Sequence, residues 1–181
     1  MSKPTISIPS QYQNLRFFLI QFTMFSCFFF TLTITAQNKK QLIGHWQLQK
    51  ISFKKTNVQP SETNKDQLLE VFKAALYNQI TEEQKSNLYD LEQINLDAKA
   101  LHDTYYQTTI EFQPNGAFYN TSLNKEKSLS GEYVLDKKKL HMQWETADKT
   151  NFKILKNTTD ELVLKDTELK ITFYYLKTKT Q

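Results

Sequence analysis

The sequence predicts a mainly β chain: an eight-stranded antiparallel up-and-down barrel with a two-helix insert between its first and second strands. Three observations carry this. From Thr108 onward, apolar and polar residues alternate with a period of two, which sends alternate side chains to opposite faces of a strand. Short polar turns recur at intervals of roughly ten residues, the spacing of an antiparallel meander. From about residue 64 to residue 102 the apolar residues instead recur at spacings of three and four, the mark of amphipathic helices.

Residues 1–36 read as a signal peptide. Lys3 and Arg16 are basic, no acid accompanies them, an apolar run follows from Phe17 to Ala36, and a small residue precedes Gln37. The run is also about 20 residues long, enough to span a bilayer as a helix, so an uncleaved N-terminal anchor is the alternative. Met24-Phe25-Ser26-Cys27 makes a poor lipoprotein box, because more apolar residues follow Cys27. Residues 37–181 then form one domain with one core. Loss of Lys3 and Arg16 takes the formal charge from +4 to about +2. Without arginine and with mixed charge, this domain is a poor nucleic-acid binder. Cys27 is the only cysteine, so the exported domain has neither a disulfide nor a thiol nucleophile and holds together by packing.

The first strand is expected from about Leu42 to Lys54. Trp46 and Leu48 share one parity, Ile51 and Phe53 the other, which calls for a bulge near Gln49-Lys50. Asn57 to Asn64 reads as a polar loop around Pro60. Asp66 to Asn78 puts Leu68, Leu69, Phe72, Ala75 and Leu76 on one helical stripe. Thr81-Glu82-Glu83-Gln84 is a capping box, and a second helix is expected from it to about Leu101, with Leu88, Leu91, Ile94, Ala98 and Leu101 on its apolar side.

Thr109 to Phe112 is the second strand, with Ile110 and Phe112 inward. Pro114-Asn115-Gly116 is a hairpin turn. Ala117 to Leu123 follows, with Phe118 or Tyr119 inward, and Asn124 to Lys127 is polar. Ser128 to Leu135, a turn at Asp136-Lys137-Lys138, and Leu140, Met142 and Trp144 alternating with His141, Gln143 and Glu145 come next. Phe152 and Ile154 mark a strand that ends at Asn157 to Asp160. Leu162 and Leu164 form a short one before a turn at Lys165 to Glu168. Leu169, Ile171, Phe173 and Tyr175 line the last. Eight strands close a barrel that holds side chains or one small ligand, and closure leaves no exposed edge.

Gly44-His45-Trp46 opens the first strand, and Gly44 is one of three glycines. Gly-x-Trp at this place, ahead of a β-rich chain, resembles the lipocalins, and more closely the lipocalin-like proteins secreted by Bacteroidetes. The resemblance covers about Gln41 to Lys177. It implies a basic side chain from the end of the last strand packed over the tryptophan. That residue is an arginine in the family, and here only Lys177 or Lys179 is available, as a point charge rather than a planar fork. Fatty-acid-binding proteins, relatives of that family, carry a shorter helix pair in the same slot, over the ligand entrance. The resemblance therefore offers a lid as the sharper reading of the insert, beside a helical hairpin merely docked on the barrel.

Candidate chemistry is sparse. His45, His102 and His141 share no metal-ligand spacing, so no metal is expected. His102-Asp103 is an acid–base candidate, but adjacent residues rarely face one another, and a histidine near the negative end of a helix dipole is the simpler reading. Glu111, Glu132 and Glu145 have outward parity. Ser128, Ser130 and Gly131 make no nucleophile elbow, and no glycine loop cradles a phosphate. No catalytic site and no cofactor are expected. The remaining candidates are the inward residues Trp46, Phe112, Phe118, Tyr133, Met142, Trp144, Phe152, Phe173 and Tyr175. Either they fill the barrel solid, or those near the helix-covered mouth line an apolar pocket. Lys153 and Lys177 are the candidates for an anionic head group.

The leading expectation is a non-catalytic, exported barrel, periplasmic or secreted, that binds a small apolar or amphipathic molecule. The alternative is a protein-interaction module, an inhibitor or envelope assembly factor, working through its loops or helical insert. Nucleic acid is not an expected partner, and a membrane is one only through an uncleaved signal segment.

Overall fold

The computed structural model describes residues 39–122 and 129–178. The segment read as a signal peptide, with Cys27, and Leu123, the Asn124 to Lys127 stretch, Ser128 and Lys179 lie outside the described residues.

Strand β1 (Gly44–Phe53) is the strand on which the barrel closes. One of its edges pairs along Trp46–Ser52 with β9 (Thr172–Lys177). The other edge is shared. Its first half, Gly44–Gln47, pairs with β3 (Thr108–Phe112), and its second half, Ile51–Phe53, with β2 (Thr56–Val58). The register on β9 slips between Leu48 and Lys50, where the change of parity requires a bulge. The slip lets Trp46, Leu48, Ile51 and Phe53 all turn inward.

From β3 the chain runs as a meander through β4 (Ala117–Ser122), β5 (Leu129–Asp136), β6 (Lys139–Trp144), β7 (Lys149–Asn157) and β8 (Glu161–Asp166) to β9. Each strand pairs antiparallel with its successor. The β1–β9 pairing closes eight of the nine strands into a ring. This is the mainly β, eight-stranded antiparallel up-and-down barrel that the sequence predicts.

Strand β2 corrects the reading of Asn57 onward as loop. Lys54, at φ +53°, makes a two-residue hairpin, and Val58 returns to the core beside Ile51. The polar sequence Lys54-Lys55-Thr56-Asn57 carries no alternation that would reveal it. The insert consequently lies between β2 and β3. It holds a 3₁₀ turn (Glu62–Asn64), α1 (Lys65–Tyr77), α2 (Glu82–Lys85) and α3 (Leu88–Tyr105).

The capping box at Thr81 and Gln84 forms in both directions, but the helix it starts lasts one turn. The Ser86 hydroxyl and N–H both donate to the Glu83 carbonyl, and Asn87 N–H donates to Gln84, so i→i−3 bonds replace helical ones. Ser and Asn compete for the backbone in this way, and the helix restarts at Leu88. Leu88 is then exposed rather than buried, and α3 runs four residues past Leu101, because Tyr105 still has core to cover. Strand β8 likewise continues through Lys165 and Asp166, which were expected in a turn.

The registers assign the two ends of the barrel. Gly44, the β3–β4, β5–β6 and β7–β8 turns and Lys177 lie at one end. The end of β1, the helical insert and the β6–β7 and β8–β9 turns lie at the other.

The first end is shut by Trp46. Its ring is fully buried and its Nε1–H donates to the Leu42 carbonyl at 2.7 Å. Lys177 Nζ stands 4.9 Å from the ring centroid and donates to the carbonyls of Ile43 (2.8 Å) and Gln41 (3.4 Å). Indole and ammonium together donate to carbonyls at the end of the helical turn over residues 39–42. Gly44 sits at φ +123°, and a Cβ there would come within 2.8 Å of Lys177 Cε. The glycine both permits the backbone turn and lets the lysine across. Gly131 is needed for a different reason: a Cβ would lie 2.1 Å from the Gln143 carbonyl and 2.8 Å from the Phe118 ring.

Candidate functional site

At the second end the helical insert lies over the barrel mouth. Helix α1 buries Leu68, Val71, Phe72 and Ala75, and α3 buries Ile94, Ala98 and Tyr105, the spacings expected of one apolar stripe on each. Phe72 stacks on Tyr105 (6.0 Å), which in turn meets Phe173 of β9 (4.6 Å). Polar tethers fix the same arrangement. Gln79 Nε2 donates to the Glu168 carbonyl (2.7 Å), Lys54 Nζ to Asn78 Oδ1 (3.1 Å), and Asn120 Nδ2 to the Thr104 carbonyl (3.3 Å).

The seal is incomplete. A cleft of about 530 Å³ remains between α3 and the β6–β7 and β8–β9 turns. Its apolar surface comes from Leu76, Leu101, Tyr105, Trp144, Leu169 and Phe173. Thr104, Thr150 and Asn151 add neutral polar groups, and Asp97, Asp148, Asp166, Glu168 and Lys149 add charges. The volume lies within the range of small-molecule sites.

Asp166 is the most deeply set of these charges, at 6% exposure. Its Oδ1 accepts the N–H groups of Glu168 (2.7 Å) and Leu169 (2.8 Å), which shapes the β8–β9 turn. Burial raises its pKa from the ordinary carboxylate range, against the pull of those two N–H groups. Burial, and then the charge of Asp166, push the Tyr105 hydroxyl up, so it stays a neutral donor at physiological pH. Trp144 Nε1–H is spent on Thr150 Oγ1 (2.9 Å).

All nine residues singled out from the sequence are buried. Trp144 and Phe173 border the cleft. Phe118 meets Trp144 edge-on at 4.8 Å and Phe152 meets Phe173 edge-on at 5.9 Å, supporting the two rings that do. Phe112 meets Tyr133 edge-on at 5.1 Å inside the barrel. Trp46, Phe112, Tyr133, Met142 and Tyr175 border no part of the cleft. Neither lysine proposed for an anionic head group reaches it: Lys177 is held at the opposite end, and Lys153 is exposed on β7.

The helix contribution from Leu76, Ala100, Thr104 and Tyr105 was not foreseen in the sequence, nor was Asp166. Parity identifies which barrel residues face inward but not which helix residues face the mouth.

The histidines fall in separate places. His45 Nε2 lies 3.7 Å from Glu111 Oε1 at the Trp46 end, and His141 Nδ1 is 2.7 Å from Asn151 Oδ1 outside the barrel. His102 overturns the expectation that neighbours do not meet: its Nδ1 is 3.1 Å from Asp103 Oδ1, and its ring stacks on Tyr106 at 5.1 Å. The pair lies outside the cleft. Among the described residues, no three His, Cys, Asp or Glu side chains gather as a metal site. No helix among them is long and apolar enough to cross a membrane.

No family model and no curated protein matches the chain. Solved structures similar to it include three from Bacteroides species. A lipocalin-like protein from Bacteroides uniformis has a TM-score of 0.45 at 14% identity, over 76% of this chain and 99% of its own. An uncharacterized protein from Bacteroides eggerthii has a TM-score of 0.43 at 12% identity, over 76% and 99%. A DUF4847 family protein from Bacteroides vulgatus has a TM-score of 0.39 at 10% identity, over 77% and 96%. At these TM-scores the likenesses carry no argument, and the fold rests on the strand pairing itself.

Proposed function

We propose that this chain is an exported, non-catalytic binding protein whose cleft between α3 and the barrel mouth takes a small apolar or amphipathic molecule. The observation that carries the reading is the cleft of about 530 Å³, walled by Trp144, Phe173, Tyr105 and Leu101, in a barrel whose other end is shut by Trp46. An apolar pocket with a few convergent polar groups is the usual form of a small-molecule site. The aromatic side chains deeper in the barrel then serve as a rigid floor rather than as ligand contacts.

A neutral polarity-sensitive dye such as Nile red tests this. Saturable fluorescence enhancement is expected with the wild-type protein. Ala100→Trp places an indole in the cleft from the face of α3 and should weaken the dye at least tenfold without lowering the melting midpoint. Equal dye binding by both proteins refutes the site.

The second reading, a protein-interaction module, has one observation in its favour: Leu88 and Leu96 of α3 are 73% and 63% exposed. Dye binding that survives Ala100→Trp but is lost in Leu96→Asp would favour that outer surface instead.

A further inference from the structure

The charges around the cleft have one dominant sign. Among the described residues, four carboxylates, Asp97, Asp148, Asp166 and Glu168, border it against the single ammonium of Lys149. None of the four is ion-paired with a described lysine. Asp97 Oδ1 takes Gln93 Nε2 (2.8 Å) and Asp148 Oδ2 takes the Thr146 hydroxyl (2.9 Å), both neutral donors. The charge of Lys170 lowers the Asp166 pKa, the last of several influences on it, and the Lys170 ammonium itself donates to the Thr167 carbonyl.

Asp166 is the member set deepest, among Tyr105, Leu169 and Phe173 at the cleft wall. A carboxylate placed there loses hydration and receives two backbone N–H groups and the more distant charge of Lys170, but no ion pair within contact distance among the described residues, so a cation in the cleft would meet an acceptor with negative charge to spare.

We propose that the cleft selects a cationic amphiphile, an amine attached to an apolar body, with the ammonium toward Asp166 and the apolar part against Trp144, Phe173 and Leu101. This rests on the binding role proposed above and names its ligand class. It runs opposite to the fatty acid that a helix-covered barrel first brings to mind. An anionic head group in the same place would face four like charges.

Decylamine, decanol and decanoate share one chain and differ in head-group charge, so displacement of Nile red by the three at pH 7 tests the proposal, each below its aggregation threshold. The expected order is amine, then alcohol, then carboxylate, with the amine at least tenfold tighter than the alcohol. In Asp166→Asn the ratio of amine to alcohol affinity, measured in the same protein, should fall to threefold or less. The asparagine oxygen can still accept the two backbone N–H groups, so the turn persists. Glu168→Gln and Asp148→Asn, on the exposed rim, should each reduce the amine preference by less.

Decanol binding without an amine preference, or a preference that survives in Asp166→Asn, overturns the charge selectivity and leaves the cleft intact as a site. Failure of all three to displace the dye overturns both.

Discussion

The Trp46–Lys177 closure can be tested as a thermodynamic unit. Trp46 is fully buried and donates one hydrogen bond to Leu42. Truncation to alanine removes a core aromatic, which costs roughly 3–5 kcal/mol, and leaves a buried carbonyl short of a donor, so the upper half of that range is expected. Lys177→Met keeps most of the aliphatic stem but loses the ammonium over the ring and its bonds to Ile43 and Gln41. A cation–π contact of this kind contributes about 0.5–1 kcal/mol near solvent. With the half-exposed hydrogen bonds discounted for screening, Lys177→Met should cost about 1–2 kcal/mol.

Because the two side chains touch, the double variant should cost less than the summed singles by about 0.5–1 kcal/mol. Urea melts at constant slope give each value. Trp46→Phe, which fills most of the space, provides a folded comparison if Trp46→Ala falls below the stability threshold. A loss under about 1 kcal/mol for Trp46→Ala, the level of ordinary surface changes, would refute the placement of the ring. Strict additivity would refute the contact with Lys177.

Other predictions follow from single positions. Gly131→Ala should destabilise by more than about 2 kcal/mol, because its Cβ would collide with the Gln143 carbonyl on the paired strand, which cannot give way as a side chain can. A melt within 0.5 kcal/mol of wild type, roughly the surface level, would contradict the close approach. Asp166→Asn should leave stability at pH 7 within about 1 kcal/mol of wild type or raise it. The sign follows from its raised native pKa: ionisation disfavours the fold, so this carboxyl's contribution is most favourable below the unfolded-state pKa and is lost as pH rises through the native one. The variant should therefore gain relative to wild type as pH rises through that window, and a relative gain on acidification instead would contradict the burial. Gln79→Ala removes the side-chain tether to the Glu168 carbonyl and should speed amide exchange in α1 and the β8–β9 turn while leaving exchange in β4–β6 unchanged. Uniform change across the barrel would show that the insert is not separately held.

The barrel was legible because its physics is local. Alternation in Leu140–Trp144 and in Ile171–Tyr175 sends one side chain in two to the interior, whereas Leu169, expected on the last strand, falls in the turn before it, and the parity break in β1 requires a bulge that is there. The basic residue over Trp46 was implied by the resemblance, which calls for a basic side chain from the end of the last strand and left Lys177 or Lys179 to supply it. The cleft was less legible. It depends on where α3 ends and which of its sides meets the mouth, and that follows from Ser86 and Asn87 breaking the helix and from Tyr105 extending it. No pattern distinguishes Asp166 from the other turn carboxylates. It lies in the same cleft wall as Tyr105, whose hydroxyl feels its charge, and as Leu169, whose N–H it accepts, and the first of these is far away in the sequence. Parity also gave a list of inward aromatics that was too long, because it reports facing and not distance from the open end.

Tryptophan emission offers the most direct test of the central claim, that one end of the barrel is shut and the other receives a guest. Trp46 and Trp144 are the only two tryptophans and mark the two ends. Titration with a brominated ten-carbon alcohol, whose heavy atom quenches indole on contact, should dim the wild-type protein saturably and leave Trp144→Phe, which emits from Trp46 alone, unchanged. Equal quenching in Trp144→Phe, or none in the wild type, would contradict the account.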